Sequence, residues 1–215
     1  MHDQYITPEP LASALITIDV QNDFARAGSR AYIPGTADVV PAISRALDAY
    51  RDARRPIIHV VRLYSADGSN ADLCRRTLIE GGAEIARPGS DGAELADALK
   101  PDPSVTLDAH ALLAGEFQQL SDHEWVLYKS RWSAFHRTTL DAKLHGLDVT
   151  SIVVTGCNFP NCPRATIYDA SSRDYRILVV EDAISGFNDQ GRMEMGSIGV
   201  KMVKASELHS WLIGE

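Results

Sequence analysis

Six short apolar runs, rich in β-branched residues, punctuate the chain at 14–20, 57–61, 125–129, 151–155, 176–180 and 200–203. Most lack the polar alternation of a half-solvated strand, so they read as strands buried on both faces. Between them the pattern turns helical. After Thr36 as N-cap, residues 37–54 place Val40, Ile43, Ala46, Leu47 and Tyr50 on one stripe that ends before Pro56. Further helices are expected at 137–146, 163–174, 189–199 and 205–213, with shorter ones around 72–79 and 92–99. Strands alternating with helices require crossover connections, so an α/β fold follows, with a mostly parallel sheet covered on both faces and right-handed crossovers.

At 215 residues one domain, 1–215, is the default expectation. Within it, 63–120 loosens into Gly, Ser, Asp and Pro, and is expected to be an irregular insertion: a lid or wall over a site, or a solvated surface loop. The net charge of −8 and the lack of a Lys/Arg run argue against nucleic acid or an anionic membrane as partner. The stretch Met1 to Tyr5 lacks a basic and apolar leader, and no apolar run has the length of a membrane span, so a cytoplasmic protein is expected. Its three cysteines, Cys74, Cys157 and Cys162, are expected to be reduced thiols.

In a parallel sheet all carboxyl ends lie along one edge, where α/β proteins place ligands. Three strands lead there into groups able to do chemistry. The run at 14–20 carries Asp19, the run at 125–129 ends in Lys129, and just beyond 151–155 lies Cys162. Pro163 suits the first position of a helix, which puts Cys162 at the N-cap, where the helix dipole favours a thiolate. The plainer readings are a turn-capping aspartate, an exposed lysine and a cysteine that is simply a small buried hydrophobe.

The pieces Ile18-Asp19-Val20-Gln21-Asn22-Asp23-Phe24, Lys129-Ser130-Arg131-Trp132-Ser133-Ala134-Phe135, and Val154-Thr155-Gly156 through Cys162 with Ala165-Thr166 and Asp169-Ala170, resemble the isochorismatase-like cysteine hydrolases. Val180-Glu181-Asp182-Ala183 fits as well. That superfamily includes nicotinamidases, N-carbamoylsarcosine amidohydrolase and ureido-amide hydrolases. The resemblance implies a three-layer, doubly wound, Rossmann-type sheet of about six strands. It implies a catalytic triad of Asp19, Lys129 and Cys162, and an oxyanion hole from the backbone N–H groups of Asn158 and Cys162. It also implies a cis peptide between Cys157 and Asn158, with Cys157 a buried companion thiol, and a homo-oligomer. The loop Asn158-Phe159-Pro160-Asn161 and Pro163 depart from the commoner pattern, which bears on substrate choice.

The activity so implied is hydrolysis of a C–N bond in a small amide, carbamoyl or ureido compound through a thioester. Alternatives are a larger cyclic amide, a nicotinamidase or isochorismatase-type activity, and a non-catalytic scaffold. After the second strand the chain reads Arg62-Leu63-Tyr64-Ser65-Ala66-Asp67, without the Asp-x-His pair of metal-binding relatives, so neither a metal nor another cofactor is expected. Gln21, Asn22, Phe24, Arg131 and Trp132 are the candidate substrate contacts, each also open to a structural role.

Overall fold

The apolar runs lie side by side in one seven-stranded sheet of the computed structural model, which describes residues 3–214. Met1 and His2, the start of the stretch read as lacking a leader, lie outside the described residues. In chain order the elements are β1 (Ser13–Ile18), α1 (Asn22–Ala25), α2 (Thr36–Asp52), β2 (Ile57–Val61), α3 (Leu73–Glu80), α4 (Ala109–Leu113), β3 (Gln118–Ser121) and β4 (Glu124–Tyr128). Then follow α5 (Leu140–His145), β5 (Ser151–Gly156), α6 (Cys162–Ser171), β6 (Arg176–Ile184), α7 (Asp189–Ser197), β7 (Lys201–Val203) and α8 (Leu208–Ile213). The region expected to be helical at 92–99 forms two separate 3-10 turns, Asp91–Ala93 and Asp97–Leu99.

The strand order is β3-β4-β2-β1-β5-β6-β7, and every neighbouring pair is parallel except β3 with β4. From β1 the chain winds outward through β2 to β4, then returns to lay β5 against the other side of β1. Crevices for ligands open at such a reversal, between the carboxyl ends of β1 and β5. The seventh strand, β3, was not expected: it is a short antiparallel edge whose residues are alternately half-buried and exposed. The sequence there, Gln118-Gln119-Leu120-Ser121, carries no continuous apolar run because only one face is covered.

Alternation along single strands builds both faces of the core. Ile16 and Ile18 of β1, Ile152 and Val154 of β5 and Ile177 and Val179 of β6 pack under Leu140, Leu144, Ile167 and Met195, on the side of α5, α6 and α7. Leu15, Val153, Leu178 and Val180 point the other way, against Ile43, Leu47 and Tyr50 of α2 and Leu208 and Leu212 of α8. Burying a side chain of this kind is worth roughly 1.5–3 kcal/mol, so both stripes hold the carboxyl ends of the strands in fixed positions. A smaller cluster of Phe24, Tyr64, Ala71, Ile79, Ile85, Ala86 and Cys157 ties the segment after β2 to the same edge. No helix among the described residues is long and apolar enough to cross a membrane.

Candidate active site

Asp19 is the first residue after β1, and its backbone takes the left-handed conformation, with φ of 54°. Its N–H still donates to the Val60 carbonyl at 2.8 Å, so the strand register persists while the side chain turns into the crevice. A non-glycine residue in that conformation costs on the order of 1 kcal/mol and survives where the surroundings fix it. Lys129 follows β4 in the same way, its N–H bonded to the Val61 carbonyl at 3.0 Å. Far from being an exposed strand-end lysine, it is completely buried, and its Nζ donates to Asp19 Oδ2 at 2.7 Å. Asp19 Oδ1 is buried and has no hydrogen-bond partner.

Cys162 comes from the β5–α6 connection. Gly156, at the end of β5, has φ of 124°, and a Cβ there would collide with the backbone of Ile18, so only glycine lets β5 close on β1. The helix begins one residue earlier than expected. Asn161 is the N-cap, Cys162 the first helical residue and Pro163 the second, both being positions whose N–H has no partner within the helix. The Cys162 thiol therefore still sits on the first turn, and among the described residues neither its own N–H nor that of Asn158 finds an acceptor.

The expected cis bond between Cys157 and Asn158 is not present: every peptide bond described is trans. The Cys157 N–H is bonded to Ile18 O and the Phe159 N–H to Ser185 O, each at 2.8 Å, so both flanks of the linkage are satisfied without the roughly 3–4 kcal/mol that a non-proline cis bond costs. Cys157 is buried, and burial pushes its thiol up to about 12.

A residue that the sequence did not single out completes the cluster. Arg62, just past β2 and buried, donates from Nη1 to Asp72 Oδ2 at 2.7 Å and to the Ser130 carbonyl at 3.1 Å. Its Nε lies 4.0 Å from Asp19 Oδ2, and its Nη2 lies 3.6 Å from Cys162 Sγ. The only signal for it was position, one residue beyond a strand whose neighbours also end in charges. Burial and the negative charge of Asp19 raise the Cys162 thiol above its ordinary range, while Lys129 and Arg62 act against that rise. The sulfur lies in the pocket that Asp19 also lines.

The expected substrate contacts divide. Phe24 lines the pocket together with Asp19, Ile33, Arg62, Arg75, Cys157, Asn158, Asn161 and Cys162. Gln21 does not: its amide donates to the carbonyls of Arg62 and Ala93 at 2.8 and 2.6 Å and accepts from the Arg62 N–H at 2.8 Å, which locks β1 to the segment after β2. Asn22 is bonded to the Asp91 carbonyl at 2.8 Å. Arg131 spends one nitrogen on the carbonyls of Asn70 and Ser130, and with Trp132 it lines a separate surface depression beside Leu73 and Cys74. These four residues are thus structural or peripheral, because local backbone groups claim their polar atoms or because they lie outside the pocket. The free space beside the sulfur is small, ≈ 10 Å³, about the volume for one water.

Among the described residues no three His, Cys, Asp or Glu side chains gather as a metal site would need. His59 lies within β2, with Nε2 2.7 Å from Glu124 Oε1 and Nδ1 2.8 Å from Thr17 Oγ1.

Comparison with known proteins agrees with this fold. The family model described as Isochorismatase domain matches residues 13–112 and 108–198. A probable inactive nicotinamidase of Arabidopsis thaliana is 30% identical over 93% of this chain and 94% of its own. The ureidoacrylate amidohydrolase RutB of Methylobacterium radiotolerans is 31% identical over 82% of this chain and 70% of its own. Among solved structures, an isochorismatase family protein from Desulfovibrio vulgaris superposes with a TM-score of 0.80 at 32% identity, covering 94% of this chain and 98% of that one.

Proposed function

We infer, from the premise that this chain belongs to the isochorismatase domain family, that it is a cysteine-dependent amidohydrolase acting on a small amide, carbamoyl or ureido compound. The observation that carries the reading is the junction of three strand ends: Lys129 Nζ bonded at 2.7 Å to one oxygen of Asp19, with the other oxygen buried and unpartnered at the pocket of Cys162.

The chemistry follows from those groups. Asp19 Oδ1 accepts the thiol proton as Cys162 Sγ attacks the substrate carbonyl, so charge moves from carboxylate to sulfur without leaving the site. Lys129 and Arg62 hold whichever of the two atoms is negative. The tetrahedral oxyanion is received by the N–H groups of Cys162 and Asn158, neither of which has an acceptor among the described residues. Collapse breaks the C–N bond, Asp19 gives its proton to the leaving amine, and a thioester remains. Asp19 then takes a proton from water as that water attacks the thioester carbonyl, and the proton passes back to sulfur as the acid departs.

The free space beside the sulfur holds about one water, so any substrate needs the pocket wall to shift, and a small one needs less displacement than a large cyclic amide. Ureidoacrylate amidohydrolase, one of the relatives, acts on a compound of this class. The test is ammonia release from a panel of small primary amides, carbamoyl and ureido compounds by the native protein and by Cys162→Ala. Activity on at least one compound, lost in the variant, supports the reading. Turnover that persists in Cys162→Ala, or a native protein inert to the whole panel while Cys162 stays unreactive, ends it in favour of a non-catalytic role.

A further inference from the structure

Resting on that reading of the site, we propose that Arg75 anchors an anionic group of the substrate, a carboxylate, so that the hydrolysed compound is an acid carrying the amide, carbamoyl or ureido group. Arg75 lies on α3 and is half-buried, and it lines the same pocket as Cys162 and Asp19. Its guanidinium carbon is 5.9 Å from the centre of the Phe24 ring and 6.0 Å from that of Tyr64. Both rings are buried, and aromatic faces at such distances attract a guanidinium without using its N–H donors.

What sets Arg75 apart from its neighbours is that its donors are unspent. Arg62 is committed to Asp72 and Ser130, Arg131 to backbone carbonyls, and Arg26 to Asp91. Among the described residues Arg75 has neither a carboxylate within ion-pair distance nor a hydrogen-bond acceptor. The charged groups at the pocket count one more cation than carboxylates. Lys129, Arg62 and Arg75 face Asp19 and Asp72, and passing a proton from sulfur to Asp19 leaves the excess positive charge unchanged. A carboxylate meets a guanidinium fork with two parallel N–H···O bonds, and a ligand that brings one neutralises the pocket as it binds. A neutral amide leaves the fork unmet.

Two measurements test this, one with chemistry and one without. The first is alkylation of Cys162 at pH 9 by iodoacetate and by iodoacetamide, resolved by peptide mapping because the exposed Cys74 also reacts. The ratio of the two rates is expected to fall roughly tenfold in Arg75→Gln, while the iodoacetamide rate changes by less than about twofold and Arg75→Lys restores part of the ratio. An unchanged ratio in Arg75→Gln, with iodoacetamide labelling intact, overturns the proposal. The second is calorimetric binding of succinamate against succinamide. The carboxylate-bearing compound is expected to bind roughly tenfold more tightly to the native protein, and equally with succinamide to Arg75→Gln. Equal binding to the native protein overturns the anchor. Failure of Cys162 to react with either reagent instead overturns the cysteine chemistry, and the binding comparison then still decides Arg75.

Discussion

Lys129 Nζ and Asp19 Oδ2 meet at 2.7 Å across 110 residues of sequence, both buried at the carboxyl edge of the sheet. Each charge depends on the other, because an isolated ion taken out of water costs several kcal/mol. Lys129→Met is expected to lower stability by about 3 kcal/mol and to abolish hydrolysis, measured by urea denaturation and ammonia release. A variant as stable and active as the native protein would leave the ion pair without a role.

Asp19→Asn keeps the shape and removes the base. Hydrolysis is expected to drop by roughly 10³-fold or more, since proton transfer from the nucleophile is lost. The same change removes the negative charge that raises the Cys162 thiol, so the pH at which iodoacetamide labelling of Cys162 accelerates should move downward. A labelling profile left in place would mean that the carboxylate does not face the sulfur, and activity retained in Asp19→Asn would remove its role as base.

A second buried cluster governs acid stability. Burial alone would raise the Glu124 carboxyl, but hydrogen bonds from His59 and Arg51 outweigh it and hold it at about 2, against 4.5 for a free glutamate. Because the folded value is the lower one, this stabilisation is complete above pH 4.5 and is lost as pH falls toward 2. Thermal melts from pH 7 down to pH 3 should show Tm falling mainly below pH 4.5. In Glu124→Gln the protein should be about 3 kcal/mol less stable at pH 7, with a flatter acid limb.

Gly156→Ala forces a Cβ into the backbone of Ile18 at a φ of 124°. The strand pair β1–β5 must part or the loop must shift, so a loss of about 3 kcal/mol or more is expected, with activity falling even in the folded fraction as Cys162 is displaced. Denaturation midpoints and ammonia release per folded molecule measure the two effects separately.

Much of this was legible in the sequence for a physical reason. Strands buried on both faces must be continuously apolar, so 57–61 and 151–155 read as strands at sight, and parallel topology then forces their charged successors to one edge. Asp19, Lys129 and Cys162 are therefore legible as neighbours at that edge from the strand pattern, and the distances between them are not. Elements whose burial is one-sided or whose bonding is long-range leave no such pattern. Gln118 to Ser121 pairs at an edge where no apolar run is required. Gln21 and Asn22 stand beside Asp19 in sequence, yet their amides are claimed by carbonyls brought in from 62, 91 and 93, which no local pattern announces. Arg62 and Arg75 were missed for the converse reason: an arginine after a strand or on a short surface helix has no periodic signature, and only the folded wall shows which one lacks a partner. The start of α6 was off by one residue because proline is tolerated at either of the first two helical positions.

The central claim is that the sulfur of Cys162 becomes acylated during turnover. Rapid quenching of the native protein with a hydrolysed amide in excess, followed by mass analysis of the peptide containing Cys162, measures this directly. An acyl adduct on Cys162, equal in mass to the substrate less its amine, is expected to form within a turnover and decay to free acid. Full turnover with that peptide unmodified at every time point, and with Asp19→Asn failing to change its modification, would contradict it.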